Sequence, residues 1–230
     1  MQKKLLTACA AAGVLSIVPA AGADVLITEF MANPSGTDTE REWLEIYNSG
    51  DTAVDLSNYK IGTSETPLDG EDMSQFPAGS FIEPGQVMVI AVNAAAFLDW
   101  TGVQASFEAV DTDPNVPDLL PYETWSGNPN AVLTIANSED QILLLGENDE
   151  ILDATAHGGT WGDFNLAQLG NNESWERVPA GVDTDTAADW VLRLDGEATP
   201  GVVTTTPVPE PASVGLVAAG GLVMLRRRRM

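Results

Sequence analysis

Between residues 24 and 61 three short runs rich in β-branched and aromatic residues, "DVLITEF" (24–30), "EWLEIYN" (42–48) and "TAVDLSNYKI" (52–61), are separated by the turn sequences "NPSG" and "NSGD". Such runs, bounded by Gly, Pro, Asn and Asp, predict strands rather than helices. In the second run Leu44 and Ile46 fall on one face, with Glu42, Glu45 and Asn48 as polar punctuation. That period of two predicts a sheet with one buried face. "FIEPGQVMVIAV" (81–92) differs: a Pro-Gly turn leads into a run apolar on both faces, the pattern of a central, doubly covered strand. "AVLTIANSEDQILLLGENDEILDATAH" (131–157) predicts three strands joined by "NSED" and "GENDE". Strand–turn units with almost no helical periodicity predict an all-β antiparallel sandwich or barrel. No internal repeat of fixed period accompanies them.

Residues 98–130 interrupt this rhythm. "DTDPNVPDLLPYETWSGNPN" carries four prolines and no alternation, and predicts a long ordered loop or insertion. A second irregular stretch, "HGGTWGDFNLAQLGNN", spans 157–172, and from Thr199 "TPGVVTTTPVPEP" reads as an extended Thr/Pro linker.

The two ends are of another kind. Lys3 and Lys4, the apolar "LLTACAAAGVLSIV" and the A-x-A pattern at Ala21 and Ala23 form a secretory signal, with cleavage expected after Ala23. Cys9, the single cysteine, lies within it. "LTAC" has the spacing of a lipoprotein box, but two apolar residues after Lys4 are too few for the h-region such a box needs. Cleavage after Ala23 leaves a mature protein without disulfides. At the other end Pro209-Glu210-Pro211 precedes fourteen mostly apolar residues (212–225) and then Arg226, Arg227, Arg228 and Arg229. A helix of that length reaches about 21 Å against a hydrocarbon core of about 30 Å, so the segment suits a transient hold on the membrane with the acidic body outside.

Charge narrows the partners. All but one of the chain's 34 acidic residues, Glu210, lie in 24–207, against four basic ones, Arg41, Lys60, Arg177 and Arg193. That surface repels phosphate backbones and excludes nucleic-acid binding through charge.

Several of these pieces together resemble the lamin-tail domain. In "VLITEFMANPSGTDTEREWLEIYNSGDTAVDLSNYKIG" (25–62) the resemblance is carried by Glu29, Asn33, Pro34, Glu42, Trp43, Glu45, Asn48, Asp55, Leu56, Ser57 and Tyr59, and it continues in "FIEPGQVMVIA", "LTIANSEDQILLLGENDEILDA", "ESWERVP", "DTDTAADWV" and "TPG". It implies an immunoglobulin-like β-sandwich over 24–201, interrupted near 98–130, followed by a linker at 202–208. It implies a binding or tethering module, not an enzyme. Residues 209–230 resemble the PEP-CTERM sorting signal. That resemblance implies an exosortase-like transpeptidase and a signal peptidase as partners during export, and a cell-surface or extracellular destination.

Candidate sites are few. His157, the one histidine, has no G-x-S-x-G elbow to serve and reads as a surface or strand-end residue. Glu29, Glu42 and Glu45 read as strand-end and turn-anchoring residues. Asp111, Asp113, Asn115 and Asp118 offer alternate oxygens that can converge on calcium. The EF-hand pattern fails, however, because Val116 stands where glycine is required and Tyr122 where glutamate is. Asp183 and Asp185 form a second such pair, or cap a turn. Trp100, Trp125 and Trp161, in irregular stretches, either stack on sugar rings or cover the ends of the core, whereas Trp43 and Trp190 lie in strand-like runs. Asn172-Glu173-Ser174 is a glycosylation sequon of little meaning beside a bacterial sorting tail. The leading expectation is an exported, non-catalytic surface module binding a polysaccharide or another surface protein. A metal-assisted secreted hydrolase using the 98–130 loop and a purely structural matrix component are the alternatives.

Overall fold

The computed structural model describes residues 25–206 apart from 160, 162 and 163. The signal segment with Ala21 and Ala23, the motif Pro209-Glu210-Pro211, Arg226–Arg229 and both terminal helices expected from the sequence lie outside the described residues.

The strands are β1 (Val25–Met31), β2 (Trp43–Asn48), β3 (Val54–Asp55), β4 (Lys60–Gly62), β5 (Met73–Gln75), β6 (Phe81–Ile82), β7 (Val87–Ala91), β8 (Phe107–Glu108), β9 (Leu120–Pro121), β10 (Asp140–Leu145), β11 (Ile151–His157), β12 (Ser174–Arg177) and β13 (Trp190–Arg193). Helices α1 (Asp38–Arg41), α2 (Ala94–Thr101) and α3 (Glu123–Ser126) are short. One sheet runs β13-β12-β1-β2-β7-β8, a second β11-β10-β4-β5-β9, and β3 pairs with β6 alone. Every pairing is antiparallel except β7 with β8. Parallel neighbours need a crossover, and α2 supplies it. The architecture is the β-sandwich expected from the strand–turn rhythm.

The main core lies between the two sheets. Val25, Ile27, Phe30, Leu44, Ile46 and Ile90 of the six-stranded sheet pack in one cluster with Ile61, Ile142, Leu144 and Ala156 of the five-stranded one. The outer faces are covered as well. Met31, Trp43, Val89 and Ala91 pack under Ala94 and Phe97 of α2. Met73, Leu143, Leu145 and Ala154 pack under Tyr122, Trp125 and Trp161.

That double cover corrects the one-faced reading of the first strands. All seven residues of β1 are buried, as are five of the six in β2. The run 52–61 is divided between β3 and the start of β4, with a turn closed by Tyr59 N–H to the Leu56 carbonyl at 2.8 Å between them. Residues 131–157 hold two strands, not three. Ala131, Leu133 and Ile135 are buried like strand residues, but side chains take their backbone bonds: Ile135 N–H donates to Glu42 Oε2 at 2.8 Å and Val132 N–H to Asp72 Oδ1 at 3.3 Å.

Helix α2 was not anticipated. Its signals are present: Asn93 caps it by accepting the Ala96 N–H at 2.8 Å, an alanine run follows, and Gly102 at φ +74° ends it in the left-handed region. Residues 98–130 are ordered and contribute the end of α2, the edge strands β8 and β9, and α3.

Candidate binding site

The outer face of the six-stranded sheet carries two things side by side, a row of buried glutamates and a neutral pocket. The row comes from register. Glu29 lies opposite Glu176 on one side and Glu45 on the other. All three are at most 1% exposed. A segment that follows β13 closes over them. Thr199 donates its N–H to Glu29 Oε2 at 3.2 Å, and Gly201 donates its N–H to Glu45 Oε2 at 2.8 Å. Thr199-Pro200-Gly201-Val202 is itself a turn, closed by Val202 N–H to the Thr199 carbonyl at 2.9 Å, with Gly201 at φ +82° where a type II turn wants glycine. From below, the Ser174 hydroxyl donates to Glu29 Oε1 at 2.5 Å and the Thr28 hydroxyl to Glu45 Oε1 at 2.7 Å. Arg193 Nε bonds Glu176.

Burial pushes the Glu29 carboxyl up to about 7 and the Glu45 carboxyl up to about 8, although these donors pull both down; neighbouring glutamates add to the rise. Glu29 and Glu45 thus anchor a turn, as expected, but from mid-strand and from the interior. The Thr/Pro/Val-rich run expected to be a linker from Thr199 lies against the sandwich as far as Thr204, whose carbonyl accepts the Ala180 N–H at 2.8 Å.

The same strap, residues 196–202, forms one wall of a pocket of about 520 Å³. Met31 and Trp43 of β1 and β2 form its floor, Trp100, Thr101 and Val103 at the end of α2 a second wall, and Asn172 a corner. No ionisable side chain lines it. Trp43 is 1% exposed, and its indole Nε1–H has no hydrogen-bond partner among the described residues. Asn172 Oδ1 is likewise buried and unpaired, while Asn172 Nδ2 is held by Asp195. Trp100 is half-buried, with the Arg41 guanidinium 5.7 Å from its ring centroid.

A second cleft, of about 830 Å³, is opposite in character. Glu42, Glu65, Glu71, Asp72, Glu139 and Asp140 line it. Burial pushes Asp140 up to about 7 against bonds from the Ala136 and Gln141 amides, and Glu71 and Glu65 push the same way. Glu65, Asp69 and Glu71 bring carboxylate oxygens within 4.8 Å of one another. Asp69 is already engaged by the Ser64 hydroxyl at 2.6 Å and the Thr66 and Glu71 amides at 3.0 and 3.1 Å.

The residues expected to converge on calcium divide in two. Asp113 accepts from the Asn115 backbone at 3.0 Å and side chain at 2.8 Å, closing an Asx turn that holds its carboxyl below the usual range. Asp111 and Asp118 instead meet Glu108, all three within 4.8 Å. Glu108, a residue the loop pattern missed, is buried and accepts the Ala94, Thr112 and Asp113 amides at 3.0, 3.0 and 2.9 Å. Three carboxylates can contribute to a cation's shell, but calcium takes six to eight oxygens.

His157 is not a surface residue. It ends β11, is 1% exposed and packs its ring 5.5 Å from that of Phe30. Burial pushes the imidazole down to about 4, and neither ring nitrogen has a hydrogen-bond partner among the described residues. Asp183 pairs with Arg177 Nη1 at 2.7 Å and accepts the Asp185 N–H at 3.0 Å, so it caps a turn. The loop tryptophans do not form one patch. Trp100 belongs to the neutral pocket, whereas Trp125 and Trp161 pack on the outer face of the five-stranded sheet. Trp125 Nε1–H donates to the Ser64 carbonyl at 2.9 Å, and Trp161 stacks on Phe164 at 6.4 Å. In the sequence Asn172 stands out only as part of a sequon. Its sole local signal is an Asn-Asn pair where the backbone turns through φ +64°.

Comparisons with known proteins agree with this architecture. The crystal structure of a DUF4876 family protein from Bacteroides thetaiotaomicron VPI-5482 is similar, with a TM-score of 0.52 at 14% identity over 79% of this chain and 75% of that one, a likeness of fold. No curated protein matches in sequence. A PEP-CTERM protein-sorting motif matches residues 207–229, and such motifs mark exported proteins sorted at the membrane. No helix among the described residues is long and apolar enough to cross a membrane. The Lamin Tail Domain family model matches residues 18–191, most of the chain, and the protein belongs to that family.

Proposed function

We propose that this protein is an exported, non-catalytic binding module, delivered to the cell surface by exosortase-type sorting and held or released there after its tail is removed. The observation that carries this reading is the sorting motif at 207–229, which begins directly after the strap that closes the sandwich. The acidic body suits an aqueous exterior, since 33 carboxylates over 24–207 keep it soluble and away from anionic partners. A binder fits the chemistry better than a hydrolase does. The one histidine is packed in the core with its titration pushed far below neutrality by burial, where it cannot exchange protons with a substrate.

The test is the intact mass of the protein isolated from its native host. The mature species is expected to begin at Asp24 and to lack the residues that follow Pro209-Glu210-Pro211. Retention of Arg226–Arg229 sinks the sorting reading and leaves a plain membrane anchor.

A further inference from the structure

We propose that the neutral pocket between the strap, α2 and the outer face of the six-stranded sheet binds one or two units of an uncharged saccharide. The inference rests on the binding-module reading above and names the ligand class of its site.

The first argument is charge. The body carries 33 acidic residues, yet none lines this pocket, and no basic residue does either. The field around such a body disfavours an anionic ligand, and a cationic one would find no counter-charge inside. A neutral ligand remains.

The second argument is the pair of unmatched polar atoms. Trp43 Nε1–H is a donor and Asn172 Oδ1 an acceptor. Both belong to residues lining the same pocket, and both are buried without partners among the described residues. Buried polar atoms are rarely left so, because each gives up its hydrogen bonds to water without replacement. A purely apolar ligand would leave both unmatched. Both atoms are closed to solvent, so reaching them takes a shift of the pocket wall; a hydroxyl then accepts from the one or donates to the other, and a pyranose carries several.

The third argument is the remaining wall. Met31, Trp100, Val103, Pro200 and Val202 are apolar, and the half-buried Trp100 offers an indole to the C–H face of a sugar ring. A cavity of about 520 Å³ lies within the range of small-ligand sites. Of the three loop tryptophans, Trp100 is thus the one placed for stacking.

The experiment uses the exported protein purified from its host, with tryptophan fluorescence and titration calorimetry. The probes are the neutral tetrasaccharides cellotetraose, maltotetraose, laminaritetraose and chitotetraose, with tetragalacturonate as the charged sugar and tetraalanine as a peptide. At least one neutral sugar is expected to bind saturably with a Kd below about 1 mM. Trp43→Phe removes the donor and keeps the ring, and is expected to weaken that sugar about tenfold, the worth of one lost hydrogen bond. Asn172→Gly removes the acceptor at a positive φ that glycine accepts freely, and Trp100→Ala removes the platform on the rim. Each is expected to weaken binding at least threefold, while Glu139→Gln in the acidic cleft leaves it unchanged. Silence from all four neutral sugars overturns the proposal. So does tetragalacturonate or tetraalanine binding as tightly as the best neutral sugar, or a neutral-sugar affinity that Trp43→Phe, Asn172→Gly and Trp100→Ala all leave intact. The same purified sample yields the intact mass, so a trimmed protein that binds no sugar fails here alone, and an untrimmed one that binds fails only the sorting reading.

Discussion

The two faces of the six-stranded sheet are both covered and held by different forces. The inner face is apolar across Ile27, Phe30, Leu44, Ile46 and Ile90 and meets another apolar sheet. Burial there is driven by area removed from water, at about 25 cal/mol per Å². The outer face buries Glu29, Glu45 and Glu176 beside Trp43, and its cover is an eight-residue helix and a strap tied down by amide-to-carboxylate bonds. Charged groups cost free energy to bury, so this face holds its cover less firmly than the inner face holds the opposite sheet. The neutral pocket lies where the weaker cover does not fill the space. A binding site at the less stable face is the ordinary arrangement for proteins that must admit a ligand.

One charged pair breaks the apolar rule of the inner side, and removing it gives the largest expected effect. Ile27 lies beyond the β1–β12 pairing, which covers Glu29 and Phe30, and its backbone bonds side chains instead. Asp153 Oδ2 of β11 accepts its N–H at 2.6 Å, and Arg177 Nε of β12 donates to its carbonyl at 2.8 Å. Arg177 Nη2 grips both oxygens of Asp153 at 2.8 and 2.9 Å, and its guanidinium lies 4.8 Å from the Trp190 ring centroid. The pair is a clasp between the sheets. Arg177→Met leaves a buried carboxylate without its counter-charge, and is expected to cost about 3–5 kcal/mol in urea unfolding. Asp153→Asn together with Arg177→Met should recover the part due to the unpaired Asp153, the rest persisting because Asp183 and the Ile27 carbonyl also lose Arg177. A single substitution costing under about 1 kcal/mol would remove the clasp from the account.

The second prediction contrasts the faces by pH. Glu29 and Glu45 titrate near 7 and 8 when folded, above the 4.5 of a free glutamate. The folded state therefore holds protons that the unfolded state has released between pH 4.5 and 8. Stability contributed here is full below that window and is lost as pH rises through it. His157 has the opposite sign: pushed down to about 4 from 6.5, it loses stability as pH falls through that range and contributes no slope above it. The interval from pH 6.5 to 9 thus isolates the carboxylates, with Asp140 and Asp153, both pushed up to about 7 by burial, adding their share. A loss on the order of 2 kcal/mol is expected across it, discounted from the pKa shifts because the strap can open and rehydrate the row. Glu45→Gln should remove the largest single share of that slope. An unchanged slope in Glu45→Gln would mean that Glu45 is not the group that titrates there.

What the sequence disclosed follows the same division. β1, β2 and β7 were legible because β-branched and aromatic residues recur there between turn signals, and the pairing of β1 with β2 needs only a short connection. The second layer was not. Glu29 and Glu45 have the spacing of solvent-facing residues, and the cover that buries them arrives from Thr199 and Gly201, more than 150 positions away. Residues 131–135 alternate like a strand; only the distant Glu42 and Asp72, taking their amides, mark the difference. At the pocket, Trp43 was readable as a strand residue and Trp100 as a stacking candidate. That no ionisable side chain joins them in the pocket lining is a property of the assembled surface, which no local pattern carries.

The smallest expected effect asks whether the strap moves as a unit apart from the sandwich. Gly201 sits at φ +82°, and a Cβ added there would meet Val103 Cγ1 at 3.6 Å, an ordinary contact. Gly201→Ala therefore strains the backbone without a clash, at about 1 kcal/mol, and keeps the amide that bonds Glu45. If the strap opens locally, that strain should appear only in its own opening equilibrium. Hydrogen exchange at the amides of residues 199 and 201 is then expected to quicken about fivefold, while the amides of Leu44 and Ile46 keep their wild-type rates. Equal acceleration of both sets would mean that the strap and the inner core open together. The outer face would then be as cooperative as the inner one, and the neutral pocket would be a fixed cavity rather than one bounded by a separable wall.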